Sequence, residues 1–274
     1  DRPQGRSGLT GSPVPTAGPG QVLVKIKRIG ICGSDIHVYH GKHPYTKYPV
    51  TQGHEVSGQV AALGEGVTQF QVGQRVTIEP QVYCGECYPC THGKYNLCEN
   101  LKVMGFQTTG TASEYFAVDA SKVTALPAGM SYDEGAMLEP LAVTVHAARR
   151  AGDVAGKKVC VLGCGPIGIL LVQSLKAFGA AEVMATDISD YRLELARTCG
   201  ADYAVNTKTR PFGAALTECF GPTRRTSSTT ARAMTPPWIR PSRTPGREAL
   251  SSWLRCTLAW PTVIWPSSTT PNWI

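Results

Sequence analysis

Cys84, Cys87, Cys90 and Cys98 fall within fifteen residues, in the pattern C-x2-C-x2-C-x7-C. Thiolates at this spacing can converge on one tetrahedral ion from a compact lobe, the longer gap bringing in the fourth corner. Gly85, Pro89 and Gly93 keep the segment turning. Two disulfides, or a redox site, are the competing readings. Three cysteines at successive gaps of two are poor geometry for two independent bridges. The spacing predicts a closed zinc site, structural because all four ligands come from the protein.

A second pattern suits phosphate. Gly163, Gly165 and Gly168 spell G-x-G-x-x-G after a short apolar run, Val159 to Leu162. Ile167, Leu170, Leu171, Leu175 and Phe178 then recur at helical spacing, with Pro166 opening the helix. Asp187 follows nineteen residues after Gly168, at the end of the next apolar run, Ala181 to Thr186. Such a turn lets the backbone approach a pyrophosphate at the helix N-terminus, while the acidic residue reaches the ribose. Asp187 is expected to accept from both ribose hydroxyls and to repel a 2′-phosphate, favouring NAD over NADP. A plain strand–turn–helix with a surface aspartate is the alternative.

The third constellation is scattered. GICGSDIHVYHG carries Cys32, Ser34 and His37; GHEVSG carries His54 and Glu55; MLEPLAV carries Glu139. A thiolate, an imidazole and a carboxylate brought together from distant loops would make an open zinc site, with water or substrate in the last position. Taken singly, Cys32 reads equally as a buried thiol, His54 as a core histidine and Glu139 as a helix cap.

The elements that must position these residues change character along the chain. Residues 15 to 125 are mostly short strands, among them VLVKIKRIGI running into a glycine-rich turn, with the cysteine lobe inserted. After Ser131 the spacing turns helical, and Pro140 forces a break or a helix start. Strand, helix, strand and a helix ending at Gly200 follow, which is the order of a parallel α/β sheet. No repeat of solenoid period is present.

Composition narrows the setting. The net charge of +7 is concentrated at one end: residues 222–274 hold seven Arg against one acidic residue, Glu248, leaving +1 for the first 221. The body therefore offers no electrostatic case for a nucleic-acid partner. No apolar run of about 18 residues predicts a membrane span. Ten cysteines without a secretory start favour a reducing compartment, the cytoplasm. The absence of an initiator Met suggests a fragment.

Taken in order, GICGSDIHVYHG, GHEVSG, the four-cysteine lobe, MLEPLAVTVHA and VLGCGPIG resemble the zinc-dependent medium-chain alcohol and polyol dehydrogenases. The sorbitol (L-iditol) dehydrogenase branch is nearest, and the likeness runs from about Val14 to Asn206. It implies an α/β protein: a GroES-like, β-rich catalytic domain over 14–150, following a leader at 1–13, then a Rossmann-type NAD-binding domain, incomplete, over 151–221. It implies two Zn²⁺ per chain, the second on Cys32, His54 and Glu55, with Glu139 as an alternating or water-mediated ligand. Histidine followed by glutamate, with the LEPLAV glutamate, points to the polyol branch, and the third cysteine ligand of ordinary alcohol dehydrogenases has no counterpart near Glu139. Ser34 would take the alcohol proton and His37 would pass it on, although His37 also reads as an exposed loop histidine. Gly163, Gly165, Pro166, Ile167, Gly168, Asp187 and Arg192 would hold NAD. The substrate would be a small polyol or alcohol, and the intact protein a homodimer or homotetramer. A non-enzymatic zinc module and an inactive relative are the alternatives.

The end of the chain breaks this pattern. All five Trp and eight of the twenty Pro lie beyond Gly221, with a single Gly, and strand–helix alternation stops. One base out of frame, TPPWIRPSRTPGREALSSW can be read as ATMDTAVKDARAGGTVVV, which resembles the family's continuing strands. Residues 222–274 are therefore expected to be a frameshifted tail that leaves this chain inactive.

Overall fold

The computed structural model describes residues 8–9 and 11–221, together with the backbone of three later strands, Ser227–Ser228, Arg255–Thr257 and Thr262–Ile264. The expected frameshifted tail otherwise lies outside the described residues. Two compact units form, Asp1–Glu139 and Pro140–Ile274, dividing upstream of the boundary expected after residue 150.

In the first unit, β-branched residues alternate along β1 (Gln21–Ile29), burying Val22 and Val24 completely. β1 pairs antiparallel with β2 (Val56–Leu63), the end of one against the start of the other, Ile29 opposite Val56. β3 (Arg75–Ile78) continues the sheet, and the short β4 (Gln81–Val82) and β5 (Lys102–Val103) pair with each other around the cysteine lobe. β6 (Tyr115–Asp119) and β7 (Val123–Ala125) complete a five-stranded sheet in the order β6-β1-β2-β3-β7. Val22, Val24, Val56, Val60, Val76 and Ile78 form its core. Each fully buried side chain of this kind contributes about 1.5–3 kcal/mol relative to exposure.

Among the described residues three α-helices belong to this part of the chain, and a fourth starts at its end. Gly33–Tyr39, read from sequence as turn and loop, is a helix, α1, and it carries Ser34 and His37. α2 (Tyr88–Thr91) lies within the cysteine lobe. α3 (Tyr132–Ala136) is capped by Ser131, whose hydroxyl accepts the Glu134 N–H while the Glu134 carboxylate accepts the Ser131 N–H. The expected break falls at Met137, and Pro140 sits in the first turn of α4 (Leu138–Arg150), where its missing N–H costs nothing.

The second unit alternates as expected. β8 (Lys158–Leu162), α5 (Pro166–Ala177), β9 (Glu182–Asp187), α6 (Asp190–Thr198), β10 (Tyr203–Asn206) and α7 (Phe212–Phe220) follow one another. The strands are parallel in the order β10-β9-β8, with β11 (Ser227–Ser228) beside β8. Val159, Cys160 and Val161 on β8 and Val183, Met184 and Ala185 on β9 are fully buried, the continuous apolar strands that a sheet covered on both faces requires, and Leu171, Val172 and Leu175 of α5 pack against one of those faces. Among the described residues no helix is long and apolar enough to cross a membrane.

Candidate functional site

Three constellations carry the chemistry, and the cysteine lobe is the most closed. Sulfur–sulfur distances are 3.4 Å for Cys87–Cys90, 3.5 Å for Cys98–Cys84 and 4.0 Å for Cys84–Cys90. Tetrahedral thiolates around zinc, at Zn–S of about 2.3 Å, stand about 3.8 Å apart. All four are free thiols, so the disulfide alternative does not hold. Backbone N–H groups of Cys87, Cys84 and Asn100 point at the sulfurs of Cys84 and Cys98 at 3.3–3.4 Å, which favours the thiolate form. Such bonds from Glu86 and Cys87 pull Cys84 down to about 6. The lobe is tied to the sheet by aromatic contacts. Tyr83 stacks on Tyr95 with centroids 4.5 Å apart, and the buried Lys122 ammonium lies 3.6 Å from the Tyr83 ring centre and 3.8 Å from Glu79.

The second constellation is assembled where β1 ends and β2 begins. Donor atoms of Cys32, His54 and Glu55 all lie within 4.8 Å of one another. Glu139, expected as a fourth ligand, stands outside that set. Its carboxyl is nonetheless pushed up to about 8, by burial first and then by the charges of Glu55 and Asp35. Burial also pushes Cys32 up to about 12, with Glu55 and Asp35 adding to the rise, and it raises Glu55. The charges bearing on these three groups are all negative, and a dication is the partner such a cluster lacks. Burial holds His54 in the neutral, metal-binding form, and its Nδ1 is buried without a hydrogen-bond partner. The donor set, one sulfur, one imidazole and carboxylates, suits zinc. Ser34 is buried beside Cys32, to whose sulfur its N–H and hydroxyl donate, and His37 is half-exposed one turn further along α1.

The third is the glycine turn after β8. Gly163 takes φ +98°, and a Cβ on Gly168 would collide with the Gly163 carbonyl oxygen, so helix and turn approach as closely as only glycine allows. Gly165 precedes α5 in extended conformation and Pro166 begins it. The Ile167 side chain packs on the hydrophobic core, leaving its backbone for a ligand. Asp187 is buried, and its carboxylate already accepts three backbone N–H groups, from Cys164, Ile188 and Ser189, at 2.8–2.9 Å. A carboxylate has about four acceptor sites, so the expected grip on two ribose hydroxyls is narrowed. Arg192 Nη1 lies 3.9 Å from the same carboxylate.

Residues 18–128 match the alcohol dehydrogenase GroES-like domain, and residues 166–224 match the zinc-binding dehydrogenase family. The two together span well over half of the chain. The protein belongs to the zinc-binding alcohol dehydrogenases. It is 45% identical over 199 residues to a sorbitol dehydrogenase of Halalkalibacterium halodurans, covering 72% of this chain and 57% of that one. It is 42% identical over 204 residues to an L-threonine 3-dehydrogenase of Symbiobacterium thermophilum, covering 73% and 58%. Among solved structures, an alcohol dehydrogenase of Escherichia coli CFT073 in complex with NADH aligns with a TM-score of 0.73 at 38% identity, covering 80% of this chain and 64% of that one. The chain thus spans less than two thirds of the length of these relatives.

As a zinc-binding alcohol dehydrogenase, the protein combines a GroES-like unit with a Rossmann-type one. Its site contains residues that the sequence reading passed over. Asp35 accepts the Cys32 N–H at 3.0 Å, receives Gln52 Nε2, and places Oδ2 3.7 Å from His54 Nδ1. It therefore fixes the backbone of Cys32 and faces the His54 ring from beyond hydrogen-bond reach. Phe106 packs between imidazoles, 4.9 Å from His54 and 4.7 Å from His43. The signal for Asp35 was its place three residues after Cys32, at a helix start; Phe106 carries no such signal.

Proposed function

We propose that the whole protein is a zinc- and NAD-dependent oxidoreductase that oxidises a polyol or other secondary alcohol to the ketone. The observation that carries this reading is the convergence of Cys32, His54 and Glu55 within 4.8 Å, in a cluster short of positive charge. When bound, zinc supplies the Lewis acidity that lets an alcohol lose its proton near neutral pH, and NAD supplies the hydride acceptor. Cys32, His54 and Glu55 hold the catalytic ion, with Glu139, whose carboxyl feels the charge of Glu55, as an alternating or water-mediated ligand. The four lobe cysteines hold a second, structural ion. Ser34 receives the alcohol proton and His37 hands it to solvent; one turn of α1 separates them, and burial falls from the first to the second. Gly163, Gly165, Pro166, Ile167 and Gly168 present the turn to the dinucleotide pyrophosphate, with Asp187 and Arg192 at the ribose.

Relatives named for sorbitol and for threonine lie at similar identity, so the substrate class is a small hydroxyl compound. The abundance of free thiols suits a reducing cytoplasm. A homodimer or homotetramer follows from the family likeness. The test is metal content and NAD-linked turnover of a full-length protein on a panel of polyols, diols and threonine. Two zinc ions and turnover on one class are expected. A protein with lobe zinc alone, or one that turns over none of the panel, sinks the reading.

A further inference from the structure

Gly30 joins β1 to Cys32, and its N–H donates to the Glu55 carbonyl at 2.7 Å. A Cβ built on Gly30 would collide with Glu55 Oε2 and would stand 3.0 Å from the Glu55 Cβ and 3.3 Å from its Cδ. Carbon atoms in ordinary contact keep about 3.5–4.0 Å. Gly30 is not among the glycines of positive φ, so its backbone would accept alanine without strain. Gly53, beside His54, is the opposite case: its φ is +96°, and a Cβ there would lie 2.9 Å from the Ala112 nitrogen. Gly53 is required by the backbone; Gly30 is required by one side chain.

We infer that Gly30 is a positioning residue for the third metal donor, its missing side chain leaving the space in which the Glu55 carboxylate meets Cys32 and His54. This rests on the metal reading of those three residues. An alanine at position 30 pushes the carboxylate away at its flexible end, while the Glu55 Cβ, fixed by the backbone hydrogen bond, moves little. The donor set then shrinks to a thiolate and an imidazole without any ligand having been mutated.

The test compares wild type, Gly30→Ala, Glu55→Ala and the double variant, by chelator-competition titration with zinc and by the visible spectrum of the cobalt-loaded protein. Gly30→Ala should weaken zinc at this site by about 10–100-fold, the range seen for residues that support metal ligands. It should change the cobalt spectrum and leave the lobe's metal in place. The double variant should bind no more weakly than Glu55→Ala, because the obstructed group is gone. Wild-type affinity and spectrum in Gly30→Ala, or losses that multiply in the double variant, overturn the proposal. If Gly30→Ala does not fold, recovery of folding in the double variant supports the collision, and failure of both overturns it. A Glu55→Ala variant that binds zinc as wild type does removes the metal reading itself, and this proposal with it.

Discussion

The cysteine lobe and the Cys32/His54/Glu55 site both gather metal donors, yet they do so by different means. In the lobe the donors are neighbours in sequence, and the backbone between them supplies N–H groups to the sulfurs. At the second site the donors come from two strand ends, and other residues must aim them: Asp35, Gln52 and Phe106. One centre is closed by local chain geometry. The other is gathered by tertiary packing of residues from two separate stretches of the chain.

Breaking the lobe should cost the most. Structural zinc in small metal modules contributes on the order of 10 kcal/mol to folding. Cys87→Ser should therefore unfold the lobe and lower the melting temperature of the first unit sharply, as calorimetry and metal analysis would record. If the variant melts as wild type does, the lobe is not a structural metal site.

His54→Ala probes the other side of the comparison. The fold should persist, with one zinc retained, while turnover of the full-length protein drops by about a thousandfold, the several kcal/mol of a lost metal catalyst. Circular dichroism together with steady-state rates separates the two effects. Normal activity with one zinc would end the assignment.

Asp187→Ala sharpens the contrast within the second unit. The buried N–H of Cys164 loses its acceptor, at about 1–3 kcal/mol before water enters, and those of Ile188 and Ser189, nearer to solvent, lose theirs at a smaller cost. The variant should be less stable and should also bind NAD more weakly relative to NADP. Unchanged preference with reduced stability would make Asp187 a purely structural residue.

The smallest effect belongs to Lys122→Met. Loss of an ammonium from the Tyr83 ring is worth about 0.5–2 kcal/mol. Zinc release from the lobe into a chelator should quicken severalfold, with release from the Cys32 site unaltered. Equal rates in both proteins would show that the ring contact does not brace the lobe.

Legibility followed the same divide. The lobe and the glycine turn could be read because their logic is local: ligand spacing, and a strand, glycines and helix in order. Helix α1 was hidden because it is short and begins at Gly33, a weak helix former, after an unusual N-cap, Cys32, whose N–H is received by Asp35. The second task of Asp187 was equally invisible, since its bond to Cys164 spans 23 residues. Gly30 was read only as part of the strand run VLVKIKRIGI, whereas its space is taken by the residue just before the neighbouring strand.

The pairing of β1 with β2 sets an order of events during synthesis. Cys32, His54 and Glu55 all lie in the connection between those two strands or at its edges, and Ile29 meets Val56 at the point where they converge. A chain growing from its N-terminus can therefore draw the three donors together once Leu63 has cleared the ribosome, before any lobe cysteine has emerged. β6 must arrive from far downstream to complete the far side of β1, pairing Gln21 with Asp119. The nascent protein can thus offer a metal site while its sheet is still unfinished.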